Sequence, residues 1–401
     1  MLSDSYHKRN LLILFMAQML GYINTPVLVF MLPLIGSQLI DQPALITLPS
    51  AMMVVGLALS VSPANMLMRR FGRKKGYLGG SVIIMLSGAL GCFAVINKSF
   101  SLLCAASFIA GIAAAFVQSY RFAAVENAAA NHAGRAIALI LLGGVLGGSL
   151  GAPLANWLHG GIDGAPFAAS WLALVATGGI AIVCFCFYQH RQVAVSSPKP
   201  AGSGGVWWQD TKLWAFALCG GGAYGMMTLL MTATPLSMHN HDGHSLSDTA
   251  WVIQSHVIAM FLPSFFSGRL IDRFGAVPVM LAGVAAFGGT ALTAVSGIDV
   301  GNYWLALVLL GIGWNFVFVG ATTLTARHIS GPARFRAQAF NDVIVFSMQA
   351  TAGLLSGALL AWLGWHDLNI YAIVALGVLA VFVFLLLRQG RRAGNYEVVT
   401  H

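Results

Sequence analysis

Apolar runs of about twenty residues or more follow one another along almost the whole chain, parted only by short polar turns. Crossing the hydrocarbon of a bilayer takes about 20 apolar residues in a helix, so each run is long enough to cross. Reading the runs against their punctuation predicts twelve spans, at 11–35, 44–67, 77–97, 101–125, 136–158, 167–189, 212–237, 247–270, 277–297, 302–326, 335–363 and 368–388. The same pattern excludes a water-soluble domain. Only 8% of the 401 residues are charged, against about 25% in soluble domains, too few to clothe a surface facing water. An all-α integral membrane protein is predicted, with the lipid bilayer as its solvent. The first run is too long for the apolar core of a signal peptide and no small-residue cleavage site follows it, so it is expected to stay as the first span.

The formal net charge is +9. In a soluble chain this would suggest nucleic acid; here no nucleic-acid partner is expected, because the excess has a different distribution. With the N-terminus placed inside and the spans alternating, 20 of the 21 Lys and Arg residues fall on the cytoplasmic side, Lys98 being the exception. The clusters are Lys8-Arg9, Arg69-Arg70 with Arg73-Lys74-Lys75, Arg334 with Arg336, and Arg388 with Arg391-Arg392. The opposite turns carry Asp41, Asp163, Asp242, Asp248, Asp299 and Asp367. Positive charge collects on the cytoplasmic side of membrane proteins, so twelve spans with both termini cytoplasmic in an inner (plasma) membrane are predicted. The five cysteines sit in apolar runs and are odd in number, which suits buried small hydrophobes rather than a disulfide framework.

The halves of the chain match each other at an offset of about 200 residues. Tyr22…Pro33 in the first run echoes Tyr224…Pro235 in the seventh. Arg70-Phe71-Gly72 echoes Arg273-Phe274-Gly275, Gly111-Ile112…Phe116-Val117 echoes Gly311-Ile312…Phe316-Val317, and Trp157-Leu158 echoes Trp362-Leu363. The stretch between the halves includes Ser196-Ser197-Pro198-Lys199-Pro200, a linker composition. Two pseudo-symmetric six-helix bundles are predicted, residues 1–189 and 212–401, joined by a cytoplasmic linker at 190–211. Parallel repeats of this kind place a solute site between the halves near the bilayer midplane.

The stretch Gly268-Arg269-Leu270-Ile271-Asp272-Arg273-Phe274-Gly275 resembles the loop signature of the major facilitator superfamily, G-x-L-x-D-R-x-G. A first copy runs from Asn65 through Arg69-Arg70-Phe71-Gly72. The resemblance covers essentially the whole chain and implies a rocker-switch transporter open to each side in turn. It implies gating roles for Gly268, Asp272, Arg273, Gly275, Arg70 and Gly72. The first copy departs from the pattern, with Asn65 for the glycine and Arg69 for the acid that helps lock the cytoplasmic gate in the family. Arg69 is then either a changed lock or only a positive anchor. In the fourth run, Ser107 stands where some proton-coupled members carry an arginine. Gly143, Gly147, Gly151 and Pro153 in the fifth run resemble an exporter signature, or serve close helix packing.

Ionisable groups inside spans are costly and so are functional candidates. Arg121 and Asp342 are the chief ones, near the cytoplasmic ends of the fourth and eleventh runs. If the implied fold holds, they pair across the halves when the site opens outward; the alternatives are local partners, Glu126 for Arg121 and Arg336 or a helix end for Asp342. His256 in the eighth run either relays protons or contacts solute, or is a satisfied core histidine. Mid-span polar and aromatic residues supply candidate solute contacts: Gln18, Tyr22 and Asn24; Gln118 and Tyr120; Tyr224 and Thr228; Gln254 with His256; Trp314 and Asn315; and Gln349. The resemblance places the first, fourth, seventh and tenth helices around the cavity. The turn His239–Asp248 holds His239, His241 and His244; its spacing fits no standard metal site, and Ser245 or Ser247 with Asp248 can cap the next helix.

No phosphate loop, H-E-x-x-H or G-x-S-x-G motif, or potassium-filter sequence occurs. No cofactor is expected, and the chain is expected to act as a monomer on a small-molecule solute. The function predicted is secondary active transport of a small organic solute by alternating access, with protons as the default driver. The alternatives are a uniporter for a vitamin- or siderophore-like solute, and, from a different class, a membrane-embedded enzyme or a sensor on a transporter scaffold.

Overall fold

The computed structural model describes residues 2–127, 133–189, 210–328 and 333–392, and no strand occurs among the described residues. The helices are α1 (Leu2–Leu39), α2 (Leu48–Phe71), α3 (Arg73–Ile96), α4 (Phe100–Val117), α5 (Tyr120–Glu126), α6 (Ala133–Trp157) and α7 (Ala168–Cys186). After them come α8 (Thr211–Pro235), α9 (Leu246–Phe261), α10 (Ser264–Phe274), α11 (Ala276–Ser296), α12 (Val300–His328) and α13 (Ala333–Arg392). Among the described residues, eleven helical segments are long and apolar enough to cross a membrane. The linker expected at 190–211 lies, up to residue 209, outside the described residues.

Three segments differ from the twelve runs read from sequence. The fourth run breaks after Val117 into α4 and α5, and the eighth breaks at Leu262–Pro263 into α9 and α10. The eleventh and twelfth runs join as α13, bent at Gly364, whose φ of 71° lies in the left-handed region. A single glycine does there what the sequence suggested a longer turn would do.

Helices α1–α7 pack chiefly on one another, and so do α8–α13. The pairings repeat: α1 on α6 and α8 on α13, α2 on α4 and α9 on α12, α3 on α4 and α11 on α12. Lipid tails are as apolar as the side chains, so packing of this kind depends on close van der Waals approach. A Cβ added at Gly111 would lie 2.0 Å from the Met53 carbonyl oxygen, and one at Gly311 would lie 2.8 Å from that of His256.

The signature turns are also duplicates. Gly72 and Gly275 both have φ of 88°, and just before each an arginine lies over the next phenylalanine ring, Arg70 on Phe71 at 5.3 Å and Arg273 on Phe274 at 5.2 Å. Trp157 and Trp362, matched in the repeat, are 80% and 81% exposed, outward placements that suit aromatic anchors against lipid.

Candidate functional site

The two helix groups meet along a seam closed at the end that carries the aspartate-rich turns. There the Asn240 amide donates to Ser37 Oγ (2.9 Å), the Thr47 hydroxyl donates to the Leu354 carbonyl (3.3 Å), and the Gly357 N–H donates to Thr47 Oγ1 (3.1 Å). Asn240 belongs to a π-helical turn, Leu236–His241, that continues α8. Turns of this type are uncommon and concentrate at functional sites. Deeper in, Gly148 of α6 faces Val257 of α9 so closely that a Cβ would sit 2.7 Å from its side chain.

At the basic end, Arg121 and Asp342 are both exposed and make no ion pair with each other. Asp342 is open to water although set deep among protein atoms, as a wall residue of an open cleft is. The Arg121 guanidinium is near enough to act electrostatically on Asp342, Tyr22 and Tyr224. Arg121 also lies over the Phe122 ring at 4.9 Å. The local partners considered for these charges, Glu126 and Arg336, have side chains outside the described set. Asp272 pairs within its own group, with Arg327 at 2.9 Å on an exposed surface, while Gly268 has open space around it.

Between the closed and open ends lies a cluster of rings drawn from both groups. Tyr22 of α1 meets Phe261 of α9 edge-on at 5.7 Å. Phe261 meets Trp314 of α12 at 6.2 Å, Trp314 stacks on Phe318 at 5.3 Å, and Tyr224 of α8 stands edge-on to both at 5.1 and 5.0 Å. A Cβ at Gly144 of α6 would touch the Gln18 amide and the Tyr22 ring, both at 3.5 Å. Thr228 is one turn from Tyr224 on the same face of α8. Gln349 follows Met348, which packs on Gly221 and Gly225 of α8.

Polar atoms around these rings lack partners. Gln18 Oε1, Thr228 Oγ1, Trp314 Nε1 and Gln349 Oε1 are buried with no hydrogen bond. Buried polar groups are nearly always satisfied, and each left unmade costs about 1–3 kcal/mol. Unpaired donors and acceptors beside an aromatic cluster at a seam suit a ligand that is flat and carries polar edges.

Other residues singled out from the sequence turn inward within one group. Asn24 accepts from the Thr177 hydroxyl at 2.8 Å. Tyr120 packs edge-on to Tyr77 at 4.8 Å. His256 is fully buried, its Nδ1 2.7 Å from the Leu307 carbonyl and its Nε2 without a partner. The Asn315 amide donates to the Met260 carbonyl (2.8 Å) and to Ser264 Oγ (2.6 Å). Gln118 caps the C-terminal end of α4 and Gln254 is half-buried on α9; neither side chain joins the ring cluster. Asn24 and Tyr120 line a cavity of about 30 Å³ inside the first group, room for about two or three waters. Phe261 and Phe318 are absent from the sequence-based set, because an apolar ring in an apolar run carries no signal of its own.

The histidine turn is engaged by backbone. His239 Nδ1 is 2.9 Å from the His244 carbonyl, His244 Nε2 is 2.7 Å from the Ile298 carbonyl, and Ser245 caps α9 by accepting from the Asp248 N–H at 3.0 Å. Among the described residues no three His, Cys, Asp or Glu gather as metal ligands.

Comparison with known proteins adds to this geometry. The family model of the Major Facilitator Superfamily matches residues 14–219 and again 216–398. The riboflavin transporter RfnT of Brucella anthropi is 37% identical over 386 residues, covering 95% of this chain and 96% of that protein. The uncharacterised MFS-type transporter YddS of Bacillus subtilis is 28% identical, covering 97% of this chain and 94% of its own. Among solved structures, a bacterial homologue of the human lysosomal transporter Spinster, inward-facing and occupied, superposes with a TM-score of 0.73 at 17% identity, covering 96% of this chain and 97% of that one. A point mutant of the nucleoside transporter NupG superposes with a TM-score of 0.74 at 14% identity, covering 94% and 99%. With its duplicated pairings and signature turns, its seam and its two family-model matches, this chain belongs to the Major Facilitator Superfamily and is a multi-pass membrane transporter of small solutes.

Proposed function

We propose that this transporter carries a planar heteroaromatic solute of the flavin type, with riboflavin the first candidate, across the plasma membrane by alternating access. The observation that carries the reading is the ring cluster shared by the two helix groups, with unpartnered polar atoms around it. A flavin offers a flat tricyclic ring for Tyr22, Tyr224, Phe261 and Trp314, and an imide edge and hydroxylated chain for Gln18, Thr228 and Gln349. The riboflavin transporter similar to this chain along nearly its whole length supports the same solute.

In this reading the chain makes twelve crossings, with residues 1–189 and 212–401 as two bundles and a cytoplasmic linker at 190–211. Both termini and the basic end face the cytoplasm, so the seam closed at the acidic end and the cleft open at Arg121 and Asp342 make an inward-open state. Asp342, the acid exposed in the cleft, is the proton carrier. The functional unit is a monomer.

Counterflow in proteoliposomes tests this. Protein-dependent exchange of labelled riboflavin is expected, with accumulation when an inward proton gradient is imposed. Exchange without gradient-driven accumulation would replace the proton-coupled reading by uniport. Absence of any protein-dependent flavin movement would contradict the solute assignment.

The closed seam also carries a pH expectation. His159, in the turn between α6 and α7, titrates below the usual histidine range, first because burial disfavours its charged form and then because His239 of the other group adds like charge. Asp163 lies on the same turn, and His241 and Asp242 on the facing segment, where Asp242 is held by the Tyr303 hydroxyl at 2.6 Å. Asp41 lies in the turn after α1, and on α13 His366 and Asp367 pair with each other at 2.9 Å. A pKa lowered in the closed form means that protons bind the parted form better, so acidification below about pH 6.5 favours parting. Labelling of a cysteine placed at Ser37 is expected to rise as pH falls through that range, and H159Q to flatten the rise. A pH-independent labelling rate in the parent would contradict it.

A further inference from the structure

We propose that Phe261 is a solute-contacting lid on the ring cluster, and that Asn315 is the positioning residue that aims it at Tyr22; the lid role rests on the solute reading above. Phe261 is the last residue of α9, immediately before the break at Leu262–Pro263. Proline removes a backbone donor from the interior of a crossing, and the last carbonyls of a helix lack intrahelical partners. Asn315 supplies a donor to one of these, the Met260 carbonyl, and spans the break by also donating to Ser264 Oγ.

The contact is the last of three along one face of α12. His256 Nδ1 meets the Leu307 carbonyl at 2.7 Å, Gly311 admits the backbone of α9, and Asn315 holds its end. Positions 307, 311 and 315 are four apart, so they lie on one helical face. This rail fixes α9 against α12, and with it the ring of Phe261 between Trp314 and Tyr22.

The repeat supplies an internal control. Gly111 approaches the Met53 carbonyl and the Leu57 N–H, as Gly311 approaches the His256 carbonyl and the Met260 N–H. In that register Asn315 corresponds to Ala115, Pro263 to Ser60, and Phe261 to Ala58. There α2 runs unbroken through Ala58–Val61. The break, the amide that spans it and the ring beside it occur together in one copy and are all missing from the other, which suits a lid built on one side of the site.

The test has two arms, read on variants that remain monodisperse in detergent. In a background without the five native cysteines, cysteines at Tyr22 and Phe261 are expected to cross-link with a short bifunctional thiol reagent, and adding N315A is expected to cut the yield several-fold. An unchanged yield in N315A would overturn the positioning role, whether or not flavin is the solute. In the second arm, F261A is expected to weaken riboflavin binding about tenfold, the scale of one lost aromatic contact in a closed site, with F261Y near the parent. Parent-like binding by F261A, while W314A loses it, would overturn the lid and leave the flavin reading standing. Loss of riboflavin binding in the parent itself would overturn the flavin reading and the lid with it, and the cross-link would still decide the positioning role.

Discussion

Neutralising either Arg121 or Asp342 is expected to lower solute uptake by at least about 100-fold while leaving the protein in the membrane. In the present state both side chains are exposed and make no ion pair with each other, Asp342 accepting from the Asn341 amide at 3.4 Å and Arg121 lying over the Phe122 ring. Alternating access requires the basic end to close, which brings the walls of the cleft together and removes the water. An ion pair formed there is tolerated, but a lone charge left by D342N or R121Q costs about 3–5 kcal/mol. The state closed at the basic end is then rarely reached, and turnover falls. Exchanging the two charges, R121D with D342R, restores complementarity and is expected to recover a measurable fraction of the uptake. Initial rates at matched membrane abundance read the effect. Parent-like rates in both single variants would show that the two charges have no part in closure.

The second large effect concerns folding. Gly111→Val is expected to abolish accumulation of folded protein in the membrane. The first atom added, Cβ, would meet the Met53 carbonyl oxygen at 2.0 Å and the Leu57 nitrogen at 2.7 Å. Both are backbone atoms, so no rotamer change relieves the clash, and α4 must move off α2. That loses packing along a full helix pair, in a medium where packing rather than water exclusion holds helices together. Gly79→Val and Gly179→Val serve as controls, because nothing lies within 4 Å of their added Cβ. Their effect is expected to stay within about 1 kcal/mol, because valine ranks above glycine in helix propensity and meets no neighbour there. Fluorescence-detected size exclusion of tagged variants separates the two cases. A monodisperse Gly111→Val peak at parent height would contradict the packing described.

Much of the fold is legible in the sequence because lipid makes a simple demand: each span is a long apolar run, and duplication writes each pairing twice. The breaks are less legible. Gly364 with His366-Asp367 announces a turn, but not that the chain stays helical on both sides of it; the interruption at Pro263 depends on an amide distant in sequence, Asn315. In α2, Pro63 lies inside a helix that continues through it, so proline by itself does not mark a break.

The candidate site is legible where polarity is left unused. Gln18, Thr228, Trp314 and Gln349 stand out in apolar runs, and each keeps a buried polar atom without a partner. Asn24 stands out equally, yet finds Thr177 inside its own group, and Asn315 donates to Met260 and Ser264 there although its Oδ1 stays unpartnered. One-dimensional sequence gives the side chain and not the direction in which its helix turns it. Phe261 and Phe318 stay hidden for the opposite reason, since only their neighbours distinguish them from ordinary lipid-facing rings.

Titrating riboflavin fluorescence with the purified transporter tests the shared aromatic site most directly. Saturable quenching at one site per chain is expected, strongly reduced in both Y22A and W314A, which remove one ring from each helix group. Unquenched flavin emission at every protein concentration, or quenching untouched by both variants, would contradict a flavin held between the two groups.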